Sequence, residues 1–113
     1  MVKSYVPQKG DIVLLDFNPQ SGKEQSGKRP AVVLSPGAYN AKVGLAIFCP
    51  ITSKIKGYPF EVVLDGNLKT KGVALSDHVK NLDWRARNVR FQEKLTRRNL
   101  HQILEKLGLL LFE

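Results

Sequence analysis

The feature that most constrains the fold is a series of short apolar segments, each cut off by turn residues. Ile12–Phe17 (IVLLDF), Ala31–Leu34 (AVVL), Leu45–Ile51 (LAIFCPI), Phe60–Leu64 (FEVVL), Val73–Leu75 and Val79–Leu82 follow one another through the first 83 residues. Ser35-Pro36-Gly37 ends the second, and Asp65-Gly66-Asn67 ends the fourth. Pro50 limits the pairing of the third or ends it, because proline brings no N–H to a ladder. Short strands at such spacing predict a small antiparallel barrel or sandwich. After Leu95 the period changes. Thr96 can cap a helix N-terminus, and Leu100, Ile103, Leu104 and Leu107 then share one helical face. Gly108 is placed to stop that helix, with Leu109–Phe112 returning as a last strand. The expected fold is mainly β with a C-terminal helix, in a single domain over residues 1–113.

Composition narrows the functions. With 42% hydrophobic residues the chain can bury a modest core, which argues against disorder. One cysteine and two histidines allow neither an internal disulfide nor a tetrahedral Cys/His zinc site. No cofactor and no metal ligand set is expected. No apolar run approaches the ~18 residues of a membrane span, and MVKSYVPQKGD lacks the apolar stretch of a secretion signal. The expectation is a cytoplasmic protein without a membrane partner.

Charge points to a polyanion. The chain carries 18 Lys and Arg against ten Asp and Glu, a net +8. Residues 1–57 hold eight basic and three acidic groups, residues 58–83 three and four, and residues 84–113 seven and three. Two basic segments flank a near-neutral middle.

Three stretches can carry chemistry. Asn18–Lys28 (NPQSGKEQSGK) is a polar loop between two apolar strands, and Arg29 stands where it re-enters the sheet. Pro30 restrains Arg29 to an extended backbone, which suits a bidentate grip on phosphate. Thr52–Pro59 (TSKIKGYP) offers hydroxyls, two ammonium groups and Tyr58, a ring that either stacks an unpaired base or fills the core. Ser76-Asp77-His78 and Trp84-Arg85-Ala86-Arg87 form the third; Trp84 reads first as a core aromatic. The carboxylates are sparse and scattered. Cleaving a phosphodiester without a metal is far more tractable in RNA, whose 2′-hydroxyl already lies beside the phosphorus. The protein then orients the chain, moves protons and stabilises charge on the phosphorane. Arg29 and Thr52 fit the stabilising role. Arginine stays protonated and is a poor base. Glu24 is better suited to accept a proton, and the general base is left open.

The segments GDIVLLDFNPQSGKEQSGKRPAVVLSPGAYN, PITSKIKGYPFEVVL and GVALSDHVKNLDWRAR resemble the MazF/PemK family of toxin endoribonucleases, nearly without gaps from Met1 to about Arg87. The resemblance implies an SH3-like antiparallel barrel of the PemK/CcdB kind, assembled as a homodimer. It implies metal-independent cleavage of single-stranded RNA (mRNA) that leaves a 2′,3′-cyclic phosphate and a 5′-hydroxyl, and an acidic MazE-like antitoxin that fills the RNA groove. It places catalysis on Arg29 and Thr52, with Glu24 as the loop glutamate. RNA contacts are expected from Asp16, Gln25 and Lys28 around the first loop and from Ser53, Lys54 and Lys56 in the second. Asp77, His78 and Arg87 complete that expectation. Where the family often has Asp-Gln this chain has Asp77-His78, a difference that bears on the cleavage sequence. Two other functions fit parts of the pattern: a gyrase poison of the CcdB kind, which relies on a C-terminal Trp-Gly-Ile where this chain ends Leu-Phe-Glu, and a non-catalytic RNA-binding barrel.

Overall fold

The computed structural model describes residues 5–17 and 28–112. Its strands are β1 (Asp11–Asp16), β2 (Lys28–Val33), β3 (Leu45–Thr52), β4 (Glu61–Val63), β5 (Val73–Leu75), β6 (Lys80–Asp83) and β7 (Arg90–Lys94), with helices α1 (Gly37–Val43) and α2 (Arg97–Leu111). All strand pairs are antiparallel, in the order β4-β5-β3-β2-β1-β7, with β6 paired to β3 off that path. The mainly β fold with a C-terminal helix is as expected; among the described residues the barrel is not closed, and the hydrogen-bonded path is open with β4 and β7 at its ends.

Alternation along the strands sorts the core into two layers. Ile12, Val32, Leu34, Cys49 and Ile51 pack with Ile103 of α2, against which Leu100, Leu104 and Leu107 also lie. Val13, Leu15, Ala31, Val33, Ala46 and Phe48 face the other way, onto Trp84. Trp84 is 2% exposed and is a core aromatic, as expected. Burial pushes the Cys49 thiol up to about 12, so it behaves as a small apolar side chain.

β3 organises the sheet. Its N-terminal half pairs with β6, Leu45 opposite Asp83 and Phe48 opposite Lys80. Its C-terminal end pairs with β5, Ile51 opposite Ala74 and Thr52 opposite Val73. On its other edge the β2 ladder runs from Val33–Phe48 to Ala31–Pro50 and stops there. Pro50 thus closes one ladder without ending the strand, which continues to Thr52.

Three differences from the sequence expectation concern the periphery. Helix α1 and strand β7 lie where no element was expected. Helix α2 runs through Gly108 to Leu111, so Leu109–Phe112 is not a strand. A single glycine costs a helix only ~1 kcal/mol relative to alanine, and the leucines that follow are good helix formers. Thr96 caps α2 as expected, its hydroxyl accepting from Asn99 N.

Candidate active site

A cleft of about 750 Å³ opens at the C-terminal end of β3. Phe17, Pro50, Ile51 and Leu75 give it an apolar lining, while Arg29, Thr52, Lys54, Lys56, Tyr58, Glu61, Asp77 and His78 supply polar groups. Seven of these residues were singled out from the sequence, and the structure brings them together. Arg29 is exposed on β2, where it opposes Leu15 of β1. Continuing the β2–β3 register two residues past Ala31–Pro50 carries Arg29 to the level of Thr52. The guanidinium and the hydroxyl thus come from neighbouring strands that a buried core supports.

Thr52 is arranged to donate. Its Oγ1 accepts from the backbone N–H of Lys54 at 3.1 Å, so the hydroxyl proton is left for another acceptor. The loop beyond it is held by Glu61, whose carboxylate accepts from Lys56 N at 2.9 Å and Gly57 N at 2.8 Å. Gly57 there has φ +82, a conformation side chains resist. Lys54 and Lys56 enter no ion pair or side-chain hydrogen bond among the described residues, and neither does Arg29. Three cations therefore face the cleft with their charge uncommitted.

The same cleft also carries a different chemistry. Tyr58 Oη donates to Asp77 Oδ1 at 2.7 Å, and His78 Nε2 stands 3.7 Å from the same oxygen. The hydrogen bond to Asp77 pushes the Tyr58 phenol up to about 12, so it stays a neutral donor across the working pH range. A ring, a carboxylate and an imidazole side by side suit a nucleobase better than a phosphate.

The remaining expected residues fall elsewhere. Asp16, Lys28 and Arg87 form a separate cluster with Asn88. Lys28 Nζ donates to Asn88 O at 2.8 Å and lies 3.8 Å from Asp16 Oδ1. Arg87 donates to the carbonyls of Asp16 and Phe17. These groups fasten the end of β1 and the start of β2 rather than lining the cleft. Ser53 is exposed beside Thr52 without lining it. Glu24 and Gln25 lie outside the described residues. Among the described residues no three His, Cys, Asp or Glu side chains are grouped to hold a metal ion, and no helix is long and apolar enough to cross a membrane.

Sequence reasoning missed Glu61, which shapes the loop, and Gly72. At Gly72 a Cβ would stand 2.2 Å from the Thr52 carbonyl oxygen, and φ is +120. A glycine before β5 gives no sequence signal of its approach to Thr52, which belongs to the tertiary fold.

Fold and cleft define a small, mostly β protein whose cation-lined cleft is open to a polyanion. The family model of PemK-like, MazF-like toxins of type II toxin-antitoxin systems matches residues 8–111. The chain is 48% identical over 111 residues to the endoribonuclease toxin MazF of Escherichia coli K12, covering 98% of this chain and 99% of that one. It is 31% identical to an Escherichia coli endoribonuclease PemK, over 92% of this chain and 81% of that one. The crystal structure of MazF from Deinococcus radiodurans superposes with a TM-score of 0.88 at 49% identity, covering 97% and 100% of the two chains. A MazE–MazF complex from the same organism gives 0.86 at 45% identity, covering 96% and 98%. The chain belongs to the PemK/MazF family of type II toxins.

Proposed function

We propose that this chain is an endoribonuclease toxin that cuts single-stranded RNA in the cleft at the end of β3. The observation that carries the reading is that Arg29 and Thr52 line one cleft together with Lys54 and Lys56. Lys54 and Lys56 draw the RNA backbone in. The RNA 2′-oxygen forms a bond to the adjacent phosphorus, and the bond from phosphorus to the 5′-oxygen breaks. The products are a 2′,3′-cyclic phosphate and a 5′-hydroxyl. Arg29 grips the non-bridging oxygens with two parallel N–H donors as charge builds on them. Thr52 adds its hydroxyl, whose oxygen is already committed to Lys54 N. One proton leaves the 2′-hydroxyl, with Glu24 the acceptor we assign to it, and solvent water delivers one to the departing 5′-oxygen. No metal ion is needed in this scheme.

The same cleft suits the second half of a toxin–antitoxin pair. A net charge of +8 favours an acidic antitoxin that encounters the toxin quickly and in a salt-sensitive way. Its carboxylates would neutralise Arg29, Lys54 and Lys56 where phosphates otherwise lie. The working unit is a homodimer of single-domain protomers, in the cytoplasm. The test is to incubate the purified protein with single-stranded RNA in EDTA and to identify the new ends. Cyclic phosphate and 5′-hydroxyl ends are expected. Intact RNA, or ends bearing a 5′-phosphate, would overturn the reading.

A further inference from the structure

The two ends of the open sheet are joined by side chains. The connection between β4 and β5 reaches β7, where the Glu93 carboxylate accepts from Lys69 N at 3.1 Å and from Thr70 N at 2.7 Å. It also accepts from the Thr70 hydroxyl at 2.6 Å. Gln92 Nε2 donates to that hydroxyl at 2.7 Å, and Thr70 is 6% exposed. This clasp stands where a closed barrel would have a backbone ladder. Two residues beyond Thr70, Gly72 lies against the Thr52 carbonyl, and its own carbonyl accepts from Leu64 N at 3.1 Å. Val73 then pairs with Thr52 in the β3–β5 ladder. The path from Glu93 to Thr52 is short and runs through the backbone of residues 70–73, of which only Lys71 is exposed.

We infer that Thr70 and Glu93 are positioning residues for Thr52: their clasp holds Gly72 and Val73 against the backbone of Thr52 and so sets where its hydroxyl meets the scissile phosphate. This rests on the reading of Thr52 as a group that touches the phosphate. Neither residue lines the cleft, so the clasp acts on RNA held there through Thr52. Loss of the clasp therefore lowers kcat and leaves KM in place. A displacement of ~1 Å at a reacting group costs on the order of 10²-fold in rate; a loosened turn is expected to cost about tenfold.

The experiment compares wild type, Thr70→Val, Thr70→Ser and Thr52→Ala on one single-stranded RNA, well below the melting temperature of each. Thr70→Val keeps the shape and removes the hydroxyl that both Glu93 and Gln92 use; Thr70→Ser keeps the hydroxyl. The expected result is a kcat about tenfold lower in Thr70→Val at unchanged KM, with near wild-type kcat in Thr70→Ser. The Thr52 amide resonance shifts in the valine variant and not in the serine variant. A Thr70→Val protein that is less stable but turns over at the wild-type kcat overturns the inference, as does a serine variant that fails to restore kcat. Failure of the underlying reading looks different: Thr52→Ala would then cleave at the wild-type rate. Should Thr70→Val fold too poorly to assay, Glu93→Gln loosens the same clasp from the other side, and an unchanged kcat there is equally contrary.

Discussion

The two ends of strand β3 share a ladder but not a task. At the N-terminal end the polar groups are closed on one another. Asn40 Nδ2 donates to Pro7 O at 2.7 Å and Ser35 O at 3.0 Å, while the Ser35 hydroxyl donates to Asn40 Oδ1 at 2.6 Å and accepts from Ile47 N at 2.8 Å. Trp84 Nε1 donates to Asn40 O at 3.1 Å. At the C-terminal end Arg29, Lys54 and Lys56 have no ion pair or side-chain hydrogen bond among the described residues. Between the cleft residues Leu75 and Asp77, Ser76 Oγ is a buried side-chain oxygen without a partner among the described residues. Saturated hydrogen bonding holds a fold in place, whereas a site that must engage an anion keeps its donors unspent. The surroundings of the two ends of one strand thus differ in how far their polar groups are paired, and under the proposed function the two should respond separately to substitution.

The largest expected effect is at the closed end. Trp84→Ala removes a fully buried aromatic and should cost ~3–5 kcal/mol of stability, read from urea unfolding. The fraction that stays folded should cleave RNA at the wild-type rate; a proportionally slower folded enzyme would break the separation. At the open end the reverse is expected. Arg29→Ala and Thr52→Ala should each slow cleavage by ~10²–10³, the usual loss when one preorganised donor is removed, with the unfolding midpoint unchanged. Arg29→Lys should also be slow, because a single ammonium cannot reproduce the planar fork. Wild-type rates in folded alanine variants would place the site elsewhere.

The smallest effect sharpens the comparison at a third point, the β4–β5 connection. The hydrogen bond from Arg98, then that from Thr96, hold the Asp65 carboxyl below its ordinary value. At Glu93 burial opposes the charge, but the hydrogen bonds from Thr70 and Lys69 outweigh it, and its value is lowered too. A carboxylate lowered in the folded state binds protons more readily when unfolded. Its contribution is therefore complete above the ordinary carboxylate values of about 4 and is lost as pH falls through the lowered ones. Acid unfolding should begin below about pH 4, and Asp65→Asn should flatten the profile there. A steeper profile in that variant would reverse the assignment.

How far the sequence discloses all this depends on the residue. The continuous apolar runs that make β1, β2 and β3 are plain in the sequence, because each strand buries side chains on both of its faces. So is the stripe of α2. Strand β7 was invisible, because Arg90-Phe91-Gln92-Glu93-Lys94 is almost wholly exposed and pairs with β1 through its backbone, with a register shift at Ile12/Val13. Helix α1 was invisible because a run of seven residues gives no period; its end is marked only by Gly44 at φ +83. In the candidate site, Arg29, Thr52, Lys54 and Lys56 stand out by residue type beside turn signals, and all four line the cleft. The Asp16–Lys28–Arg87 cluster was not legible, since a cation that grips a carbonyl reads the same in sequence as one that awaits a phosphate.

The central claim is that the cleft lets RNA attack itself. A single-stranded RNA with one 2′-deoxy nucleotide at the scissile position tests it most directly. The account predicts that this oligonucleotide binds as tightly as its all-ribose counterpart and stays intact while the counterpart is cut in EDTA. Cleavage at the deoxy position would contradict it.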